Sequence, residues 1–595
     1  IVQFIFIRPA DDSYFNTLTG FSFYFDRSFT TEASKEVWIR AAEELQASLT
    51  DEVIEGAVRH WPKEIFELHG EEVIKKLKSR RKYLRQNAID HYAFLSKYVN
   101  VVGSNKHEHF KVDRLENGDV HVVVRKMQKD GDKKQVIYDR LFKYGETKEI
   151  RLFGLEGNDE FKIKGETGKS IKVRVIGGPD KDELDDDSKV TGPGKKTVFY
   201  DTKEGNKLKL NGESKNKLST KPGVNNYDRK AFKYDVLAPL VTANINPDDG
   251  LFLGGGFIFT SHGFRKAPFR SRHLFLGSYA INTASYNFKY NGDFVEAIGN
   301  WDLNIGVDVK QPNFVNNFFG LGNESEFDTD IDDRINVSSA IRYYRVRYQD
   351  IAATLGVSRK IGQHGQLSLA YNFRSVEVER PDSDERRFIS DEFVVDRPDL
   401  DVFGSYRSFS GGTVGLTFDK RNSKALTTAG VLWDNTFSYT AGIKDSDASF
   451  GSVNSELSFY YTFRLPSKLT VATRFGWGAN IGDDYEFYQS QILGGVEQLR
   501  GFRRTRFYGD SKAYNNLELR LKLFSLRTYI FPASFGLLAF NDIGRVWLDG
   551  EDSDTWHHGV GGGIWFAPFN MAVISTEIGA SSEETQFYLR LGFLF

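Results

Sequence analysis

The residues with the clearest chemical potential lie in the segment 492–506, ILGGVEQLRGFRRTR, where Arg500, Gly501 and Phe502 follow one another in a predicted loop. An arginine side chain is a planar cation with five N–H donors, and a site shielded from water must supply carboxylate acceptors for it. Glycine lets the backbone turn beside a wall, and phenylalanine can pack on that wall. The alternative is that Arg500 merely lines a polar interior. The elements around the tripeptide must decide between the two.

Those elements are amphipathic strands that alternate between apolar and polar residues up to the terminal Phe595. Leucines at 517, 519, 521 and 523 oppose Glu518, Arg520 and Lys522 on one predicted strand. A soluble β-sandwich would have to bury those charges or expose those leucines. Alternation with an apolar outside and a polar inside is what a membrane barrel requires. The last strand, 586–595, shows the same pattern, with Phe587, Leu589, Leu591, Phe593 and Phe595 on one face.

Composition narrows the class further. The mean hydropathy of −0.43 and the charged fraction of 27% exclude a helical membrane protein, and the sequence has no apolar run near the ~20 residues of a spanning helix. The net charge of −2 gives no indication of nucleic-acid binding. The lack of cysteine excludes disulfides and thiol catalysis. The sequence starts at Ile1 without a signal segment, which predicts a processed or truncated product.

The chain divides into an N-terminal segment (1–29), a helical region (30–103), a small soluble β-rich domain (104–234) and a transmembrane β-barrel (235–595). The fold class is mainly β, with a sixteen-stranded antiparallel barrel, because such a sheet must close to cross lipid without unpaired edges. The sixteen strands are predicted near 251–261, 272–281, 284–293, 299–310, 314–322, 340–359, 365–379, 403–420, 429–442, 454–465, 468–480, 513–524, 534–547, 558–567, 570–579 and 586–595.

Leu499-Arg500-Gly501-Phe502 resembles the [VI]-R-G-[FY] motif in the sixth extracellular loop of the BamA/TamA superfamily, the surface-antigen barrels of outer membranes. The segment NNLELRL, with Glu518, resembles the next strand of that family, and FNDIGRVW, with Asp542, resembles its F-x-D-x-G strand. Leu499 departs mildly from the motif. The resemblance covers about 251–595. It implies that Arg500, Gly501 and Phe502 form a loop latched to Glu518 and Asp542 inside the barrel.

The resemblance also implies a lateral seam between the first and last strands, where client strands are paired. The predicted seam residues are Gly254, Gly255 and Gly256 on strand one and Gly592 and Phe595 on strand sixteen. The alternative is that these glycines only relieve crowding where the barrel closes.

The first half of the chain lacks the β-α-α-β-β repeat of the best-known family members. Its order resembles Bacteroidota barrels of the superfamily, which often carry a calcineurin-like metallophosphoesterase upstream. The nearest string to a phosphoesterase metal motif, GNDE at 157–160, lacks the histidine, so no catalytic motif, metal site or cofactor is expected. GLEGNDEF (154–161) and IGGPDKDEL (176–184) faintly resemble the calcium turns of parallel β-helices, but hairpin turns are favoured.

The predicted function is assembly, insertion or translocation of proteins at the bacterial outer membrane, with the N-terminal region in the periplasm. Expected partners are outer-membrane lipids, client outer-membrane proteins and periplasmic or lipoprotein partners, but not nucleic acid. The alternative function is a membrane anchor or platform for a soluble enzymatic or binding domain, such as an upstream phosphoesterase absent from this chain.

Overall fold

The computed structural model describes residues 23–128, 131–194, 196–212, 214–220, 223–246, 250–281, 283–331, 339–381, 386–392, 402–464, 467–482, 484–527 and 532–595. Most of the predicted N-terminal segment, residues 1–22, lies outside them. The described chain divides into two compact units, and the boundary between them along the sequence lies between Lys233 and Tyr234. The helices and the β-rich segment both belong to the first unit, and the membrane barrel is the second.

Five helices open the first unit, and amphipathic spacing explains how they pack. Thr50 accepts a hydrogen bond from the Val53 backbone N–H and caps the third helix. That helix buries Ile54 and Val58 against Ile74 of the fourth. The helices are α1 (Phe23–Phe29), α2 (Lys35–Ser48), α3 (Asp51–Arg59), α4 (Lys63–Lys82) and α5 (Leu84–Ser96). No helix in the described part of the chain has the length and apolar character needed to cross a membrane.

The β-rich segment is a solenoid of stacked coils rather than a set of hairpins. Its strands are β1 (Tyr98–Val102), β2 (Glu108–Arg114), β3 (Val120–Met127), β4 (Lys133–Phe142), β5 (Glu149–Phe153), β6 (Glu160–Lys164), β7 (Glu166–Thr167), β8 (Lys172–Ile176), β9 (Glu183–Asp186), β10 (Lys189–Val190), β11 (Thr197–Tyr200), β12 (Lys207–Lys209) and β13 (Ser214–Asn216). One sheet has the parallel order β1-β5-β8-β11-β13, and a second runs β12-β9-β6-β2-β3-β4. In the second sheet the pairs β2-β3 and β3-β4 are antiparallel, and the other pairs are parallel.

The parallel pairing of the strands shows what kind of turn the two glycine-aspartate segments form. Strands β6 and β9 are parallel neighbours, so 154–161 and 176–184 are equivalent turns of successive coils. The expectation of hairpin turns there is wrong, because a strand that pairs with its counterpart one coil later needs no local partner. Side chains that point into the coils form the core, with the rings of Phe110 and Phe161 stacked at 4.6 Å between centroids.

The second unit is one sixteen-stranded antiparallel sheet in which every strand pairs with its neighbours in the chain. Its strands are β14 (Val236–Asn246), β15 (Gly250–Ser261), β16 (Ser271–Ala280), β17 (Ser285–Ile298), β18 (Trp301–Asn317), β19 (Arg345–Ile361), β20 (Gly365–Val378), β21 (Arg407–Asp419), β22 (Gly430–Lys444), β23 (Ser449–Arg464), β24 (Lys468–Ile481), β27 (Ser511–Arg527), β28 (Pro532–Trp547), β29 (His557–Pro568), β30 (Ile574–Ala580) and β31 (Thr585–Leu591). Strands β25 (Gln491–Leu493) and β26 (Phe507–Gly509) form a separate pair in a loop.

The predicted count of sixteen is confirmed, although two errors cancel within it. The segment 236–246 is the first strand, and the prediction that the sheet starts at 251 is wrong. The predicted strands 299–310 and 314–322 are one long strand, β18, with an irregular register between Lys310 and Phe314. Pro239 lies within β14, where the sequence predicted no strand, because proline usually interrupts a strand.

The predicted facing is observed on β24 and β27, but it is wrong for Phe593 and Phe595, which follow the end of β31 and pack against the inward Arg520. On β24 the outward Phe475 and Trp477 are about half exposed, while the inward Thr470 and Arg474 are buried. On β27 the inward Glu518 is fully buried, whereas Leu519 is exposed. The first and last strands of the sheet, β14 and β31, are not paired with each other in the described residues. Outward apolar side chains therefore form the lipid-facing surface, and inward polar side chains line the lumen.

Candidate functional site

The site is built on the loop between β24 and β27, residues 482–510. The short strands β25 and β26 pair and form the stem of its inner part. At the tip, the Leu499 backbone N–H donates to the Gly495 carbonyl at 3.0 Å, which closes a tight turn directly before Arg500. Gly494 and Gly495 both have positive φ, a conformation that glycine adopts without strain. The turn directs the next residue into the barrel wall.

Arg500 is fully buried, and three carboxylates of the wall surround its guanidinium group. Nε and one terminal nitrogen donate to the two oxygens of Asp542 at 2.7 and 2.8 Å, a bidentate pair. The other terminal nitrogen donates to Glu518 Oε1 at 2.7 Å and to Glu577 Oε2 at 3.0 Å. The Arg500 backbone N–H adds a bond to Asp542 Oδ2 at 3.1 Å. Charge-assisted bonds of this geometry are the strong class of protein hydrogen bonds.

The surroundings of the cluster complete its electrostatics. The guanidinium carbon of Arg500 lies 3.5 Å from the centroid of the Phe540 ring. Arg520 donates to the other oxygen of Glu518, with its closest nitrogen at 2.6 Å, and is itself nearly fully buried. Two arginines thus face three carboxylates in a space closed to water. In such a space, removal of a single partner leaves a buried charge without compensation.

Glu577 is not among the site residues predicted from the sequence. It lies on β30 next to buried Ser575, whose hydroxyl donates to Glu577 Oε1 at 2.8 Å. The signal in the sequence was the ISTEIGA segment, where a charged residue faces the same side as serine and glycine. Inward alternation on the predicted strand 570–579 would have placed it in the lumen. Its distance from Arg500 along the chain hid the contact.

Gly501 fits against the backbone of the wall. Its φ is +94°, and a Cβ atom at this position would come within 2.8 Å of the Ala580 carbonyl carbon. The Gly501 N–H donates to the Tyr588 hydroxyl at 2.8 Å, and its carbonyl accepts from Ser581 Oγ at 2.8 Å. Both the dihedral angle and the close approach therefore require glycine.

Phe502 belongs to a small apolar cluster beside the guanidinium site. Its ring lies 5.6 Å from that of Phe507, and the Phe507 ring stacks on His557 at 3.9 Å between centroids. The buried members of the cluster are Leu493, Leu499, Phe502, Phe507, Tyr514 and Val546. Apolar packing of this kind shields the adjacent ion pairs from water.

The same loop also reaches the opposite part of the wall. The Asn317 carbonyl, at the end of β18, accepts from Thr505 Oγ1 at 2.7 Å and from the Tyr508 hydroxyl at 2.8 Å. Arg506 donates to Glu583 at 2.8 Å and to the Ser325 carbonyl at 2.6 Å. One loop therefore contacts both β18 and the β30–β31 connection, and the sheet curves around it.

The structure brings Arg500, Glu518 and Asp542 together as direct partners, with Gly501 and Phe502 beside them, on a sixteen-stranded antiparallel sheet. The Omp85 superfamily domain matches residues 277–592 of this chain, which is more than half of its length. The chain belongs to the Omp85 superfamily. This membership places it in the bacterial outer membrane and supports a role in protein insertion or translocation there in general.

Three solved structures are similar to this chain at low sequence identity. BamA from Haemophilus ducreyi lacking POTRA domains 1–3 is 14% identical with a TM-score of 0.43, over 60% of this chain and 70% of that one. CdiB from Acinetobacter baumannii is 15% identical with a TM-score of 0.37, over 60% of each chain. CdiB from Escherichia coli is 15% identical with a TM-score of 0.41, over 60% of this chain and 63% of that one. No curated protein sequence matches this chain.

The predicted seam residues of this Omp85 barrel are not on the two edge strands of the sheet. Gly254, Gly255 and Gly256 are on β15, the second strand, and pair with both β14 and β16. Their placement on the first strand is wrong, because the sequence-based count missed β14. Gly592 follows β31 with a φ of +120°, and the Phe595 carbonyl accepts from Arg520 at 2.9 Å inside the lumen. The strands at the edges of the sheet are β14 and β31.

The sequence predicts no metal site at the GNDE string, a segment within the described residues of this Omp85 protein. The GNDE string at 157–160 lies in a turn of the solenoid, where the Asn158 N–H donates to His107 Nδ1 at 2.8 Å. Within the described ranges, no group of three or more histidine, aspartate or glutamate side chains is arranged to hold a metal ion.

Proposed function

We propose that this chain inserts or translocates other proteins at the outer membrane and that Arg500 latches the 482–510 loop inside the lumen while it does so. The observation that carries this proposal is the buried network of Arg500 with Asp542, Glu518 and Glu577. A barrel that serves only as an anchor gains nothing from such a network, because well-packed apolar residues stabilise a core at least as well as buried ion pairs.

Geometry supports a latch that links the loop to the last strands. The carboxylates come from β27, β28 and β30, and Tyr588 of β31 binds the Gly501 N–H. The loop tip also lies against β29, where a Cβ atom on Gly559 would collide with the Arg500 carbonyl, so it contacts all of the last five strands of the sheet. A displacement of β30 or β31 would change the distances in the network, so the loop position and the shape of the sheet edge are coupled.

The sheet edges are the second part of the proposal. Strands β14 and β31 have no ladder with each other in the described residues, so each presents backbone groups on one side. An extended segment of another chain adds to such an edge through main-chain hydrogen bonds. We infer that client strands pair at the β14–β31 seam, with outer-membrane lipid as the surrounding partner.

Cysteine cross-linking tests the seam directly, since the chain has no native cysteine. One cysteine is placed in Val236–Asn246 and one in Thr585–Leu591, in a panel of positions, with a disulfide formed under oxidising conditions. A matched control joins Leu253 to Tyr279, which are directly opposed on the paired strands β15 and β16. We expect the seam pairs to block assembly of client proteins until they are reduced and the control pair to have no effect.

The same experiment distinguishes protein insertion from the second candidate function, a membrane anchor or platform. The stacked coils of the first unit favour that second function because they offer an extended surface for binding. A cross-linked seam that leaves cells with normal outer-membrane protein levels would remove lateral opening from the mechanism. Loss of a periplasmic or surface activity on deletion of the solenoid, with membrane composition unchanged, would then identify the platform function.

A further inference from the structure

The solenoid contains a buried column of acidic side chains at one of its turns. In three successive coils a glycine is followed five residues later by an acid, and the acids stack above one another. In the fourth coil the glycine position is occupied by Asp201 and the acid position by Asn206. The three earlier pairs are Gly103 with Glu108, Gly154 with Asp159, and Gly177 with Asp182.

One side-chain oxygen of Asp159, Asp182 and Asn206 connects two coils. Asp159 Oδ1 accepts from the Glu108 backbone N–H at 2.7 Å, and Asp182 Oδ1 accepts from the Asp159 backbone N–H at 2.8 Å. Asn206 Oδ1 accepts from the Asp182 backbone N–H at 2.9 Å. The ladder explains why each position needs a short side chain with an oxygen. The ladder does not explain why these residues are acidic, because the amide oxygen of Asn206 makes the same hydrogen bond in the fourth coil.

The second oxygen of three of these acids has no donor. Asp159, Asp182 and Asp201 are at most 2% exposed, and their Oδ2 atoms find no hydrogen-bond partner among the described residues. The glycines make room for them: a Cβ atom on Gly154 would collide with Asp159 Oδ2, and one on Gly177 would collide with Oδ2 of both Asp182 and Asp201. Two carboxyl groups thus occupy the same small space above Gly177.

No cation compensates these groups at short range. None of the three aspartates forms a salt bridge in the part of the chain that the structure describes. The charged groups that act most strongly on Asp159 are other acids, Glu108, Asp180 and Asp182. Asp182 faces Asp201. Glu108, at the end of the column, has the basic side chains of His107 and Lys126 near it.

Burial and the neighbouring acidic groups both raise the pKa values of these aspartates. Burial raises the pKa of Asp159 to about 8, and neighbouring acids contribute to the same shift. Burial raises the pKa of Asp182 to about 8 and neighbouring Asp201 acts in the same direction, while the hydrogen bond from the Asp159 backbone N–H opposes the shift. Burial also raises the pKa of Asp201. An ionised carboxylate whose second oxygen has no donor is strongly disfavoured in such a position, so a neutral acid is the stable form.

We propose that protons hold this column together, with Asp159 neutral and one proton shared between Asp182 and Asp201, so that the solenoid tightens in acid and loosens in alkali. A shared proton supplies the donor that both Oδ2 atoms lack. As the pH rises, that proton passes to solvent and leaves two buried anions above Gly177. The solenoid is then a pH-responsive element of the periplasmic or surface-exposed chain, independent of the protein-assembly function.

The direction of the effect follows from linkage. A carboxyl group with a pKa near 8 in the folded unit and about 3.9 in the unfolded chain binds more protons when folded. Its contribution to stability is fully present below about pH 4 and is lost as the pH rises through 8. Within that window the opening equilibrium constant of the coils rises about tenfold per pH unit for each neutral carboxyl.

The test uses the full chain in detergent or liposomes and follows amide hydrogen exchange in β8 and β9 from pH 5 to pH 9, expressed as protection factors. We expect wild-type protection to fall with rising pH and Asp182→Asn, which cannot ionise, to flatten the profile and to be better protected at pH 8. The matched control is Glu183→Gln, an exposed neighbour on the same coil, which should follow the wild type.

A second readout detects the protons themselves. Infrared absorption of protonated carboxyl groups at pH 7 should be present in the wild type and reduced in Asp159→Asn and Asp182→Asn. A pH-independent protection profile, or a wild type without that absorption, would refute the proposal. Restoration of protection at pH 8 by Ca²⁺ alone would also refute it, because a cation rather than a proton would then be the partner of these carboxylates.

Discussion

Replacement of Arg500 by alanine is the most direct perturbation of the Omp85 loop latch. The substitution leaves Asp542 and Glu577 buried without a cation, while Arg520 still compensates Glu518. Removal of one partner from a buried ion pair costs about 3–5 kcal/mol. Because each 1.4 kcal/mol is about tenfold, the equilibrium between displaced and latched loop should shift by about two to three and a half orders of magnitude.

A series of single substitutions shows how much each residue of the network contributes to the stability of the latched loop. Asp542 accepts three hydrogen bonds from Arg500, whereas Glu577 accepts one, so Asp542→Asn should loosen the loop more than Glu577→Gln. Arg500→Lys should fall between wild type and Arg500→Ala, since an ammonium keeps the charge but not the planar fork. The matched control is Arg503→Ala, which removes a partly exposed bridge to Glu584 in the same loop and should change stability by about 1 kcal/mol or less.

The assay is amide hydrogen exchange of residues 499–502 in the folded barrel. The backbone N–H groups of residues 500 and 501 bond to Asp542 and Tyr588, so their exchange reports the latched state directly. Heat-modifiable electrophoretic mobility serves as the check that each variant still forms a barrel. If Arg500→Ala and Arg503→Ala barrels show the same exchange in this segment, the loop is held by something other than the guanidinium network.

Two further predictions concern packing. Gly501→Ala should displace the loop tip, because the residue has a positive φ and the new Cβ atom would lie 2.8 Å from the Ala580 backbone. Faster amide hydrogen exchange in residues 499–502 measures that displacement. The control is Gly277→Ala, which should be neutral because the nearest atom to the new Cβ is 4.0 Å away. Phe110→Ala should destabilise the solenoid by about 3–5 kcal/mol through loss of a fully buried ring stacked on Phe161. Denaturant-dependent exchange in β2 and β6 measures that loss, with exposed Val136→Ala as the control; equal effects of the two substitutions would contradict the assigned core.

The sequence determined the features that depend on local alternation and on residue type. Period-two patterning identified the barrel and the direction of most side chains, because lipid on one side and a polar lumen on the other impose the pattern on each strand separately. The chemistry of Arg500, Gly501 and Phe502, together with the family resemblance, also pointed to carboxylates at Glu518 and Asp542. Those residues lie on strands that follow the loop closely, and their inward facing was readable from parity.

Tertiary structure decided what depends on contacts between distant segments. Glu577 joins the latch across 77 residues, and the two Oδ2 atoms above Gly177 come from successive coils. The β-rich segment has the composition of hairpins, but its strands pair in parallel with counterparts about one coil away, and no turn residue specifies that partner. The first barrel strand was missed because Pro239 removes a backbone donor, which an edge strand tolerates, and only the fold shows that residues 236–246 form an edge.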